Sequence, residues 1–239
     1  MQYQGGNLSE YASEKHILNR FKFILEELSA AKGNVLVIGS GDGSFERLLK
    51  KTNTSLTITS IDINEEFREK ASEISDSIII DDFMTHEFDR TFNYIVSVDV
   101  IEHIIDTDGF LTKSRELLDH EGYFYLQTPN LASWHGRLSL FLGYAPEAME
   151  VSGVKGYFGK FGIFRHEKAL NHVRVFNYRA LREMCEYYGF EIVRAVGVDH
   201  RIPAIFKPFP CIAGAMCLKL EKKKSQVNNS FPASKLHII

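Results

Sequence analysis

The chain has almost nothing from which to build a disulfide framework. Its 239 residues hold three cysteines, Cys185, Cys211 and Cys217, an odd number without zinc-site spacing. That argues against a disulfide scaffold and points to a reducing, cytoplasmic setting. A basic excess is also missing. Lys and Arg total 28 against 31 Asp and Glu, for a net charge of −3, which argues against a general nucleic-acid binder. Long apolar runs are absent too. The most apolar late stretch, residues 202–218, is interrupted by Pro203, Lys207, Pro208 and Pro210, and is too short for a clean membrane span. The opening MQYQGGNLSE is polar and has no signal-peptide pattern. No internal repeat is present. What remains, 44% hydrophobic and 25% charged, suits one globular α/β domain with embellishments.

Against that background residues 35–46, VLVIGSGDGSFE, stand out. A short apolar run suits a buried parallel strand. It stops at Gly39, Ser40, Gly41 and Gly43, a turn in which backbone can come close to a ligand because no Cβ intervenes. FERLLKK then opens a helix, whose first amide groups have no partner in the helix and face the crevice. A nucleotide-like cofactor is expected there. The dinucleotide fingerprint wants its third glycine where this chain has Ser44; the spacing here is G-x-G-x-G.

Alternating elements follow. A helix is expected within residues 9–31, then strands at 35–38, 56–61, 77–80, 94–98 and 123–127, with helices at 44–51, 65–75 and before Gly122. This rhythm predicts a doubly wound, mostly parallel sheet. After a helix at 178–188, strands at 190–198 and 211–220 lack a helix-length connection, so they must pair antiparallel. The fold class is therefore α/β, with seven strands and an antiparallel last one. Residues 130–171, with a helix at 131–142 and then a glycine- and aromatic-rich loop, read as a lid-like insert in a domain spanning 1–221. Residues 222–239 read as a loose tail.

Acidic residues punctuate the strand ends. Asp62 closes the second strand 23 residues after Gly39, where a carboxylate can accept from both hydroxyls of a ribose; Ile63 beside it is an apolar wall for a base. Asp81, Asp82 and Phe83 follow the third strand. The fourth strand runs through Val98 into DVIEH and the fifth into LQTPN. Asp99, Glu102 and His103, at i, i+3 and i+4, would share a face if helical, and such a set suits a hard or borderline divalent cation.

Together the glycine turn, Asp62, Asp82, SVDVIEHI, LQTPN and NHVRVFNYRALREMCEYYGFEIVRAVG resemble the class I S-adenosylmethionine-dependent methyltransferases. The resemblance is closest to the ubiquinone-biosynthesis-like small-molecule O-methyltransferases and spans about residues 21–220. It implies S-adenosylmethionine as cofactor, with Gly39, Ser40, Gly41, Gly43, Asp62, Ile63, Asp82, Phe83, Val98 and Asp99 around it. Many such proteins carry an acid two places before the first glycine, where this chain has Val37. Relatives with Glu in place of Asp99 bind a metal through this segment, and a further histidine after the fifth strand completes their site. By that resemblance Asp99, Glu102, His103 and His172 form a metal set, and His103 is the favoured base for a small-molecule hydroxyl acceptor. Three other readings stay open: a nicotinamide-dependent oxidoreductase, a metal-assisted RNA 2′-O-methyltransferase, and a non-enzymatic cofactor-binding subunit that activates a partner.

Overall fold

The computed structural model describes residues 14–67, 74–199 and 203–223. Helix α1 (Glu14–Leu28) leads into β1 (Gly33–Ile38), α2 (Ser44–Thr52), β2 (Leu56–Asp62) and β3 (Ser77–Ile80). Then come β4 (Phe92–Val98), α3 (Thr107–Leu117), β5 (Leu118–Pro129) and α4 (Trp134–Phe141). The chain continues through α5 (Tyr178–Tyr187) and β6 (Phe190–Val198), and a helical turn at Pro203–Phe206 precedes β7 (Ala215–Lys222).

Among the described residues the strands form a seven-stranded sheet in the order β3-β2-β1-β4-β5-β7-β6. Pairing is parallel from β3 across to β5. β7 lies antiparallel to β6, as the short connection between them requires, and antiparallel to β5 as well. The order reverses at β1, whose neighbours β2 and β4 lie on opposite sides. An open α/β sheet presents a crevice outside the carboxyl ends of its strands at such a point.

Strand alternation explains the two cores. Successive side chains of a strand face opposite ways. Val35 and Val37 thus meet Phe21, Ile24, Leu28, Phe45 and Leu49 of α1 and α2 on one face. Leu36 and Ile38 join Phe110, Leu111, Leu181 and Cys185 of α3 and α5 on the other. Cys185 and Cys217 are buried and Cys211 is exposed. Leu18, apolar and in helical register with α1's inner face, is 42% exposed.

Several boundaries differ from the sequence reading. α4 starts at Trp134 rather than 131, because Ser133 caps it by accepting the Gly136 N–H at 3.1 Å. The residues before it are used otherwise: Asn130 bridges Phe176. β7 starts at Ala215, not 211, and runs to Lys222, so the expected tail begins inside a strand. Residues 224–239, the rest of that tail, lie outside the described residues. So do 68–73 of the expected helix at 65–75, whose described start, Glu65–Phe67, is a 3₁₀ turn. In the 130–171 insert, α4 and a 3₁₀ turn at Gly162–Phe164 are joined by loop that an Ala145–Lys160 bridge ties together. Among the described residues no helix is long and apolar enough to cross a membrane.

Candidate active site

The glycine turn sits at the end of β1 with Gly39, Gly41 and Gly43 at φ 77°, 55° and 72°, the left-handed region that favours glycine. At Gly39 a Cβ would meet Val100 Cγ2 at 2.4 Å, so that glycine is needed for close packing. At Gly41 a Cβ would meet nothing within 4 Å, which leaves its backbone open to the cavity. Gly43 stands apart. It is the residue before α2 and is not in the cavity wall.

Asp62 is joined directly to this turn. Its Oδ2 accepts the Gly41 N–H at 2.8 Å and its Oδ1 accepts the Asn64 N–H at 2.9 Å. Burial pushes its pKa up, opposed by those backbone hydrogen bonds. Each oxygen keeps a second lone pair for a ligand hydroxyl. Ile63 is exposed at the cavity edge. Asp81 turns to His86, 2.8 Å away, whereas Asp82 accepts the Met84 N–H at 2.8 Å in a tight turn. Both line the cavity with Phe83, whose ring packs edge-on against Phe110.

The expected helix through residues 99–103 does not form. Asp99 has φ 54°, which ends regular structure, and only Ile101–His103 make a 3₁₀ turn. Asp99 lines the cavity with Val98, but its carboxylate pairs with Arg20 of α1 at 2.5 Å. Asp99 is therefore not part of the ligand cluster.

That cluster is Glu102, His103 and His172, each offering one ligand atom within 4.8 Å of the others. Glu102 is 2% exposed. Its Oε2 accepts from Thr128 Oγ1 at 2.9 Å, and its buried Oε1 has no hydrogen-bond partner. Burial, then the charge of Asp99, raises its pKa well above the ordinary carboxylate range. His103 donates Nδ1–H to Asn171 O at 3.1 Å, and His172 donates Nδ1–H to Ala148 O at 2.9 Å. Each ring then carries its lone pair on Nε2. Burial lowers the pKa of His103, which favours the neutral, ligating form. One carboxyl group and two imidazoles suit a borderline divalent cation, which would take the place of the proton that the raised pKa of Glu102 favours and give its unpartnered oxygen a positive partner.

His103 and His172, with Gly39, Gly41, Asp62, Asp82 and Asp99, line one cavity of about 1150 Å³. That exceeds the roughly 300–1,000 Å³ usual for one small ligand. Insert residues His135, Glu147, Ala148, His166 and Leu170 form part of its wall. His166 Nε2 lies 3.3 Å and His135 Nδ1 3.6 Å from the two Glu147 oxygens. Six aspartates and Glu147 line the cavity, against Arg20 as the single Lys or Arg among the described residues.

Three site residues escaped sequence reasoning. Arg20 sat on an amphipathic helix with nothing to say which polar residue turns inward. Gln127, inside the LQTPN motif, is 1% exposed with neither side-chain polar atom hydrogen-bonded, and it lines the cavity. Glu46 lies in FERLLKK, where the sequence marks no role for it. It is fully buried, and its Oε1 accepts from Ser40 Oγ at 2.6 Å and from Ser60 Oγ at 2.8 Å. It ties the glycine turn to β2 in a chain that has Val37 where an acid was looked for.

Glu46 carries a testable cost. Burial raises its pKa above 4.5. The folded chain then holds a proton that the unfolded chain releases, so stability is lost as pH rises from that value through the raised one. Melting temperature should fall for the wild type as pH rises above the ordinary glutamate range, and Glu46→Gln should flatten that slope. Parallel slopes in differential scanning calorimetry would show that Glu46 is not the group responsible.

Residues 10–195 match a family model described as a methyltransferase domain. No curated protein matches the chain. Among solved structures, the CcbJ methyltransferase from Streptomyces caelestis is similar with a TM-score of 0.62 at 12% identity, over 90% of this chain and 94% of that one. An S-adenosylmethionine-dependent methyltransferase from Clostridium acetobutylicum has a TM-score of 0.60 at 14% identity, over 91% and 95%. The Burkholderia thailandensis 1,6-didemethyltoxoflavin-N1-methyltransferase, with 1,6-didemethyltoxoflavin and S-adenosylhomocysteine bound, has a TM-score of 0.59 at 14% identity, over 88% and 80%.

Proposed function

We propose that this chain, which belongs to the methyltransferase domain family, is an S-adenosylmethionine-dependent enzyme that methylates a hydroxyl group on a small acceptor. S-adenosylmethionine supplies a methyl group already activated by its sulfonium charge. The chain's own work is then to align donor and acceptor and to help the hydroxyl lose its proton.

The cofactor side rests on the link between Gly41 and Asp62. Gly39, Ser40 and Gly41 offer backbone at close range, and Asp62 holds the ribose hydroxyls. Asp82, Phe83 and Ile63 frame the base. Val98, Asp99 and Arg20 lie toward the amino-acid end, where a paired carboxylate and guanidinium complement a zwitterion. Gly43 acts one step back, by shaping the start of α2.

The observation that carries the hydroxyl reading is the unpartnered Glu102 Oε1 beside two imidazoles. Glu102, His103 and His172 would hold a divalent cation, which when bound lowers the pKa of a coordinated hydroxyl. His103 then acts as a ligand, because one Nε2 lone pair cannot serve a metal and a proton at once. The insert covers the acceptor end with His135, Glu147 and His166 and limits water there. The acidic wall supports a small neutral or cationic acceptor over an RNA backbone.

Calorimetric titration tests the cofactor. S-adenosylmethionine and S-adenosylhomocysteine should bind and NAD should give no heat. Preference for NAD would return the chain to the oxidoreductase reading.

A further inference from the structure

The insert contains a buried ion pair that the mechanism above does not use. The side chains of Glu150 and Lys160 are 3% and 1% exposed, with Nζ 3.7 Å from Oε1. Such a pair is a poor stabilising device, since desolvation offsets most of the attraction. The carboxylate is occupied with backbone instead. Its Oε1 accepts the Leu170 N–H at 2.8 Å, and its Oε2 accepts the Asn171 N–H at 2.7 Å and the His172 N–H at 3.4 Å.

Those bonds reach the cluster by two routes. The Asn171 carbonyl that receives His103 Nδ1–H belongs to a residue held at φ 62°, a conformation that a non-glycine residue keeps only when its surroundings enforce it. The Ala148 carbonyl that receives His172 Nδ1–H lies two residues before Glu150. Residues 148–150 therefore grip His172 by its ring and its backbone, and His103 through Asn171. Gly156 closes the arrangement, since a Cβ there would meet Lys168 O at 2.6 Å and Glu150 Oε1 at 3.1 Å.

We propose that Glu150 is the positioning residue of the His103–His172 pair, its buried carboxylate fixing the tautomer and aim of both rings for a divalent cation. The proposal rests on the metal reading above for its purpose, but the geometry it describes exists without the ion. Outer partners of this kind change metal affinity by about 10–100-fold when removed.

The decisive variant is Glu150→Leu/Lys160→Met. Apolar replacement of a buried ion pair is often neutral or stabilising, so this chain should fold, while the backbone N–H groups lose their acceptor. Two readouts apply. One is the side-chain ¹⁵N–¹H spectrum of the histidines in metal-free protein, assigned with His103→Asn and His172→Asn. The other is Co²⁺ titration followed by visible absorption. The wild type should show both rings as Nδ1–H tautomers. The double variant should show mixed tautomers and a Co²⁺ dissociation constant raised about 10–100-fold. Glu150→Gln, which keeps an oxygen for the Asn171 N–H, should recover most of both. A folded double variant with wild-type tautomers and wild-type Co²⁺ affinity overturns the proposal. So does a double variant that fails to fold, because the pair would then serve the fold itself. A wild type that ignores Co²⁺ while its tautomers still depend on Glu150 sinks the metal reading and leaves the positioning role standing.

Discussion

Asp62→Ala should lower the affinity for S-adenosylhomocysteine by about two to three orders of magnitude. Hydrogen bonds to a charged group contribute about 1.5–3 kcal/mol each. A carboxylate that serves both ribose hydroxyls therefore supplies on the order of 3–4 kcal/mol, and each 1.4 kcal/mol is about tenfold. The loss has a second source, because Asp62 Oδ2 also holds the Gly41 N–H and the turn relaxes without it. Asp62→Asn should lie between, with an oxygen kept and the charge gone. The sign of the pH dependence follows from the raised pKa. The ionised form binds, so wild-type affinity should weaken on acidification, starting above the ordinary range of an aspartate, whereas the Asn variant stays flat. Calorimetry across pH reads this directly. Wild-type affinity in Asp62→Ala would mean that the ribose lies elsewhere.

Removal of the cation, or His172→Ala, should produce a comparably large effect in a different quantity. A metal that stabilises a developing alkoxide contributes several kcal/mol. At about 1.36 kcal/mol per tenfold, a loss of about 4 kcal/mol lowers turnover by roughly three orders of magnitude. Binding of S-adenosylhomocysteine should be unchanged, since the proposed function puts His172 at the acceptor end. The measurement is the rate of S-adenosylhomocysteine release with a hydroxyl acceptor, before and after chelation and on return of Mn²⁺ or Co²⁺. Turnover that persists through thorough chelation removes the metal and restores His103 as a base. The split between the two experiments is itself informative: one variant loses the cofactor and keeps the cluster, the other does the reverse.

Much of the framework was legible because it rests on local rules. β1 is an apolar run that ends at glycines, and the acids at 62 and 82 mark strand ends. The antiparallel pairing of β6 and β7 follows from the length of the segment between them. What stayed hidden depends on three-dimensional choices that no period encodes. Spacing of i, i+3 and i+4 put Asp99 on a helical face with Glu102 and His103. A left-handed backbone at Asp99 removes that face and gives the carboxylate to Arg20. The role of Arg20 depends on how α1 packs on the sheet, which brings its guanidinium to Asp99 just past the end of β4. Glu46 was concealed by the opposite effect, since a charged residue in the first turn of a short helix reads as surface, yet this one is fully buried under two serines.

The distribution of thiols has a practical consequence. Cys185 and Cys217 lie in the sheet's two cores, where burial pushes the first up to about 12 and the second upward as well, so neither offers thiolate at neutral pH. Cys211 is exposed, and its carbonyl accepts from Arg137 Nη2 of α4 at 3.3 Å. A maleimide dye added to the unmodified protein thus reaches a single position, beside α4, and can report on its surroundings without an engineered cysteine.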